Sequence, residues 1–69
     1  MKIYRAIIIQ GFLHGGGDYV GGPWRATFDE ADEDLKDPRL KPHYGDAWSG
    51  VTVVASEEDL ATLNQHISW

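Results

Sequence analysis

The chain has 69 residues, no cysteine and a formal net charge of −5, from eleven acidic and six basic side chains. A chain of this length forms one domain with a thin core, and the missing cysteines exclude disulfides and thiolate metal sites. The acidity disfavours nucleic acid and anionic membranes as direct partners, because both are bound through lysine and arginine. A basic protein surface is the complementary partner.

The first predicted element is a strand over residues 2–10, KIYRAIIIQ, which is rich in β-branched and aromatic side chains. Its three consecutive isoleucines place apolar groups on both faces, so we expect it to be central in its sheet. The first residues lack the features of a signal peptide, and the apolar run at 6–9 is too short to span a membrane. We therefore expect a cytoplasmic location.

Residues 11–23 contain six of the eight glycines and Pro23, a density that disfavours regular structure. We predict a long connection here, with Tyr19 exposed near its tip. WRATF at 24–28 alternates apolar and polar side chains, which is typical of a short, half-buried strand. The two strands would form a wide hairpin in which Trp24 is at least half-buried.

A helix is predicted next, within DEADEDLKD at 29–37. Two starts remain open, an N-cap pair of Asp29 and Asp32 or a capping box formed by Thr27 and Glu30. The helix ends near residue 37, because the following proline disfavours further helix. Acidic residues crowd its first turns, where the helix dipole favours them.

The segment 38–50 is predicted to be irregular, because it contains two prolines and two glycines. Three apolar side chains in it are expected to pack on the core, with the last at least half-buried: Leu40, Tyr44 and Trp48.

VTVVA at 51–55 is predicted to be a strand, followed by a helix over 56–67. Ser56 and Asp59 match the cap signature of a Ser or Thr followed three residues later by an acid. The apolar side chains of this helix recur at helical spacing: Leu60, Leu63 and Ile67.

The predicted order is β-β-α-β-α in a single domain, residues 1–69. We expect a small α+β fold with a three-stranded, mostly antiparallel sheet and two helices on one face. The first strand lies in the middle of this sheet, and the third strand lies on its other side.

The segment His14-Gly15-Gly16-Gly17 after an apolar run resembles the HGGG loop of lipase-type α/β-hydrolases, which implies an oxyanion hole. The rest of that family's pattern is missing. Ser49 lies in DAWSGV, where Ala47 replaces the first glycine of the nucleophile elbow, and the chain is far too short for that fold. Phosphate-binding glycine loops also fail, since no Lys-Ser/Thr follows the glycines. We therefore predict no enzymatic activity and no cofactor.

Three histidines are present, His14, His43 and His66, but no pair has the spacing of metal ligands on one helix. We therefore predict no metal site. A small metal-binding or enzymatic domain that uses His14 and His43 remains an alternative. A calcium loop is excluded because Lys36 stands where its third ligand would be.

The most unusual feature of the sequence is its acidic segments. Six carboxylates fall within nine residues at 29–37, and a second cluster lies at 57–59. One interpretation is an interaction surface for a basic protein; the alternative is a solvated face that maintains solubility, in a structural or regulatory subunit. The candidate partner-binding residues are Asp29, Glu30, Asp32, Glu33, Asp34, Asp37, Glu57, Glu58 and the loop residue Tyr19.

In size, acidity and lack of cysteine the chain resembles the small phage-encoded inhibitors known as type I anti-CRISPR proteins, although no motif is shared. That resemblance implies an inhibitor whose carboxylates occupy the lysines and arginines that a Cas effector uses for DNA or PAM binding. The oligomeric state and the identity of the partner stay open.

Overall fold

A computed structural model describes residues 1–11, 13, 17–43, 45–67 and 69. These residues form three strands and two helices, in the order β1 (Lys2–Gln10), β2 (Asp18–Arg25), α1 (Phe28–Asp34), β3 (Ala47–Ala55) and α2 (Leu60–Asn64). The strands form one antiparallel sheet in the order β2-β1-β3. The predicted α+β class and the central position of the first strand are confirmed.

Two strands are longer than predicted. β2 begins at Asp18, so the glycines and proline at 21–23 lie within a strand, and the predicted strand at 24–28 was placed too late. The pairing of β1 with β2 shifts register beside these residues, which indicates a bulge. Glycine and proline are tolerated there because β2 is an edge strand, with one side of its backbone free of ladder partners. β3 likewise begins at Ala47, four residues before the predicted start, and pairs with all of β1.

The start of α1 is the capping box, not the alternative at Asp29. The backbone N–H of Glu30 donates to Oγ1 of Thr27 at 3.3 Å, and that hydroxyl donates to Oε1 of Glu30 at 3.0 Å. The helix ends at Asp34, and single turns continue its path to Asp37. It lies across the sheet with Ala31 fully buried.

The second helix begins later than predicted. Its N-cap is Asp59, whose carboxylate accepts the N–H of Thr62 at 2.7 Å, and it spans only Leu60–Asn64. Ser56 instead forms a tight turn in which its Oγ accepts from the N–H of Glu58. The N–H of Ser56 donates to the carbonyl of Met1, so Ser56 still belongs to the ladder between β1 and β3. The turn at Ser56 therefore precedes the helix, which begins after the cap at Asp59.

The core lies between α1 and the sheet. Ala6 and Ile8 are buried there with Leu40, and the half-buried side chains packed against them are Val20, Leu35, Ala47 and Trp69. Ile3 points to the opposite face of β1 and is also buried, as expected for a central strand. The predicted core position of Leu40 is confirmed.

Trp48 does not pack as predicted. Its side chain is 79% exposed, because it follows Ala47 in β3 and points to the face opposite α1. Tyr44, the third residue expected in this part of the core, lies outside the described residues. The described helices include none that is long and apolar enough to cross a membrane.

Candidate functional site

The outward side of α1 carries four exposed carboxylates, which we call the acidic face: Asp29, Glu30, Asp32 and Glu33. Helical periodicity places them together, because Ala31 and Asp34 turn toward the sheet. Within the described part of the chain, no basic side chain pairs with Asp29 or Asp32. Lys36 lies 3.4 Å from Glu33, and both of these side chains are largely exposed. The acidic face therefore keeps most of its charge.

Asp34 does not belong to this face. It is buried at the inner side of α1, where its two oxygens accept from Nε of Arg25 at 2.7 Å and from Nη2 at 3.1 Å. This two-point contact raises the pKa of Arg25. Asp34 therefore joins α1 to the end of β2, and its charge is neutralised locally. The sequence pattern gave no sign of this pairing, because it depends on how α1 lies against the end of β2.

Asp37 is also paired within the chain. Its carboxylate accepts from Nε and Nη2 of Arg39, at 3.0 and 2.7 Å, and from the Arg39 backbone N–H. The side-chain hydrogen bonds to Arg39, and after them the backbone hydrogen bond, lower the pKa of Asp37 to about 2. The Arg39 guanidinium in turn lies over the ring of Trp69, 4.6 Å from its centre. Asp37 thus orients a cation against the core.

Glu57 and Glu58 are exposed just beyond the end of β3. They follow the strand that ends beside Lys2, and α1 follows the strand that ends beside Tyr4. Both acidic segments therefore begin at the same end of the sheet. Asp59 next to them serves as the cap of α2, and its hydrogen bonds from Thr62 lower its pKa.

Tyr19 is exposed as predicted, but it lies on the other side of the sheet from the acidic face. It pairs with Ile9, and Ile9 also pairs with Trp48, so these three side chains form one row on the face opposite α1. The guanidinium of Arg5 lies over the rings of both Tyr19 and Trp24, at 5.6 and 5.5 Å. Its Nε donates to the carbonyl of Gly22 at 2.6 Å.

Sequence reasoning missed two features of this opposite face. One is the exposure of Trp48; the other is the role of Arg5, which holds the aromatic rings around the bulge of β2. The sequence contains no local signal for the first, because both faces of AWSGVTVVA mix apolar and polar side chains.

The histidines of the alternative interpretation give no metal site in the part of the chain described. There, no group of three or more side chains is placed to hold a metal ion. His43 is exposed, and its backbone N–H donates to Oε1 of the buried Gln10 at 2.6 Å. His66 is exposed beside Gln65. His14, together with Gly15 and Gly16 of the glycine segment, lies outside the described residues.

Comparison with family models, with curated proteins and with solved structures finds no match to this chain.

Proposed function

We propose that this protein is an interaction module that binds a basic protein surface through the acidic face of α1. The observation that carries the proposal is the separation of roles among the carboxylates. Asp34 and Asp37 are held by Arg25 and Arg39, whereas the carboxylates of the acidic face point outward on a single helix. The fold thus neutralises the acids it uses internally and leaves a concentrated negative surface.

Such a surface acts on a partner in two ways. Its field speeds the encounter with a basic partner and orients it, an effect that weakens as salt increases. Carboxylates one helical turn apart have Cβ atoms about 5–6 Å from each other, so neighbouring lysines or arginines can be engaged at once. Glu57 and Glu58 extend the negative charge at the same end of the sheet.

The narrower proposal is that the partner is a nucleic-acid-binding protein and that this chain inhibits it. Surfaces that bind phosphates are dense in lysine and arginine, which makes them the best match for four clustered carboxylates. The resemblance in size and acidity to type I anti-CRISPR proteins supports a Cas effector, blocked at its DNA or PAM contacts.

The test begins with capture of a partner at low salt, followed by affinity measurement with the purified partner. Replacing three residues of the acidic face (Asp29→Asn, Asp32→Asn, Glu33→Gln) is expected to weaken binding at least about tenfold and to flatten its salt dependence. A thermal melt of the variant checks that the fold is retained. Unchanged affinity in a folded variant contradicts the proposal.

A matched pair of variants separates a local effect from an effect of total charge. Lys36→Gln and Lys41→Gln both remove one exposed positive charge, but Lys36 lies beside the acidic face. Binding through α1 predicts tighter binding for Lys36→Gln and a smaller change for Lys41→Gln. Equal changes would mean that net charge alone drives the association.

Inhibition is tested by competition. A nucleic acid bound to the captured partner should be released by the wild-type chain and retained in the presence of the triple variant. A ternary complex of all three components would show that the acidic face binds elsewhere on the partner.

A further inference from the structure

The hydrogen-bond pattern of the sheet identifies which backbone groups of β3 face outward. Met1 and Ser56 exchange two backbone hydrogen bonds, each 2.8 Å long, and so form a hydrogen-bonded pair. In an antiparallel ladder such pairs alternate with non-bonded ones, so every second residue of β3 turns its N–H and C=O away from β1. With the observed register these residues are Ala47, Ser49, Val51, Val53 and Ala55.

The other edge of the sheet, along β2, is closed by the chain itself. The Asn64 side chain accepts the N–H of Trp24 at 2.7 Å and donates to its carbonyl at 3.0 Å, as a neighbouring strand would. Pro23 has no N–H, and the carbonyl of Gly22 accepts from Arg5. The N–H of Tyr19 donates to the carboxylate of Asp18 at 2.9 Å. Little of this edge is left to pair with another strand.

The edge of β3 has none of these devices. Its nine residues, AWSGVTVVA, contain no charge and no proline, and its pairing with β1 runs without a register shift. Across the described residues, no hydrogen bond reaches its outward backbone groups. The exposed Trp48 lies in the same strand. A straight edge strand of nine residues without charge or proline is a template for an added strand.

We propose that β3 binds an extended segment of a partner protein, which adds to the sheet as a fourth, antiparallel strand with an apolar centre and a basic amino end. The outward N–H and C=O groups select for extended backbone. The uncharged strand selects for an apolar centre. Glu57 and Glu58, exposed just beyond the end of β3, select for lysine or arginine at the amino end of the segment, which lies beside them in an antiparallel arrangement.

The charge of the chain disfavours a second copy as the occupant. Each copy carries a formal net charge of −5, and this repulsion opposes pairing of two β3 strands. The basic character of the partner rests on the proposed function; the position of the added strand rests on the hydrogen-bond pattern alone.

The test uses the full chain and a synthetic peptide with alternating valine and threonine, capped ends and two lysines at its amino end. Amide NMR shifts should change at the five outward-facing residues of β3 and in the indole of Trp48, with affinity of about 1 mM or tighter. The same peptide with N-methylated alternate residues cannot form the ladder and should cause no shifts. Shifts confined to α1, or none at all, would overturn the proposal.

Three variants locate the binding. Val53→Pro removes an outward N–H without touching the ladder to β1 and should abolish binding in a folded protein. Trp48→Thr should weaken binding several-fold, because the ring is no longer available to cover the added strand. Glu57→Gln with Glu58→Gln should do the same by removing the charge complement.

Two further arms separate this proposal from its competitors. The triple variant of the acidic face should bind the peptide almost as wild type does, so failure of the α1 proposal and failure of the β3 proposal give different results. Equal binding of a peptide with two glutamates in place of the two lysines would contradict the basic end. Concentration-dependent dimers in sedimentation, abolished by Val53→Pro, would show that a second copy occupies the edge instead.

Discussion

The two edge strands of this small sheet differ in how well they are protected against pairing with another chain. Both β2 and β3 pair with β1, yet β2 has a bulge, a proline and a helix attached through Asn64, whereas β3 is straight and uncharged. Edge strands usually carry some protection against pairing with other chains. The contrast between an unprotected edge and a protected one in the same domain is the observation on which the proposed strand addition at β3 rests.

The difference also explains the position of the glycines and the proline at 21–23. The glycines and proline at 21–23 place a bulge on β2, and the carboxy-terminal helix and Trp69 then pack beside it. The described residues include two helices to cover three strands. α1 packs mainly on β1 and β2 and less on β3, and α2 lies at the edge of β2, so within the described part of the chain no helix lies along the outer edge of β3.

The largest expected effect comes from proline at two adjacent positions of β3. In Val54→Pro the missing N–H is one that bonds to β1, and the ring opposes the ladder, so we expect a loss on the order of 3 kcal/mol in the free energy of unfolding. Val53→Pro should cost far less, because its N–H faces outward. Urea denaturation of both variants measures the difference, and equal losses would show that the assigned alternation of β3 is wrong.

The next effect concerns the two hydrogen bonds between the Asn64 side chain and the Trp24 backbone, which we call the clamp on β2. Asn64→Ala removes two hydrogen bonds to the backbone of Trp24 and should lower the free energy of unfolding by about 1–3 kcal/mol. Asn64→Asp keeps an acceptor for the Trp24 N–H but loses the donor to its carbonyl, so its free energy of unfolding should lie between those of wild type and Asn64→Ala. Gln65→Ala, at the exposed neighbouring position, serves as control. If Asn64→Ala is as stable as that control, α2 does not protect the edge.

Sequence reasoning found what depends on neighbouring residues and missed what depends on distant ones. The alternation of β1 and the capping box at Thr27, one of the two helix starts left open, follow from spacing within a few residues, and the structure agrees with their placement. Of the six carboxylates grouped at 29–37, four are exposed on α1, whereas Asp34 and Asp37 are paired within the chain. The clamp between Asn64 and Trp24 joins residues 40 positions apart, and the ion pair of Arg25 and Asp34 depends on how α1 turns back on the sheet. Neither has a local pattern.

The strand boundaries show the same limit. Glycine and proline at 21–23 are ordinary loop signals, and only the position of β2 at an edge makes them acceptable in a strand. Trp48 was predicted to pack on the core. In the structure Ala47 begins a strand, so the side chain of Trp48 lies on the face opposite α1, where it is exposed. Whether a face is covered depends on the number of helices available, which is a property of the whole chain.

A smaller effect on stability, of opposite sign in the two edge strands, is expected from glycine-to-alanine changes. A Cβ at Gly21 would lie 2.5 Å from Nε of Arg5, which is held by the carbonyl of Gly22, so Gly21→Ala should cost about 1 kcal/mol or more. A Cβ at Gly50 meets nothing within 4 Å, and Gly50→Ala should stabilise the fold by about 0.4–1 kcal/mol, because it restricts the unfolded chain. Thermal melts compare the two. A loss at Gly50 would mean that this part of β3 is covered.

The smallest effect expected is an acid sensitivity confined to the protected side. Asp37 holds Arg39 over Trp69, and the Trp69 ring lies beside Gly22 of β2; Asp59 caps the helix that carries Asn64. Hydrogen bonds from Arg39 lower the pKa of Asp37 to about 2, from 3.8, and hydrogen bonds from Thr62 lower that of Asp59. A carboxyl whose pKa is lower in the folded state stabilises the fold above the unfolded value, and this contribution is lost as the pH falls through the folded one. The cover of β2 should therefore loosen between about pH 4 and pH 2, while the pairing of β3 with β1 uses no carboxylate.

The measurement is urea denaturation at about pH 5 and at about pH 2.5. The decrease in the urea midpoint between these two pH values should be smaller for Asp37→Asn and Asp59→Asn than for wild type. Both contacts are exposed, so the change is small. Hydrogen-exchange protection, measured relative to the unfolded chain at each pH, should fall at Trp24 before it falls at Thr52, and the reverse order would place the acid-sensitive contacts on the other edge.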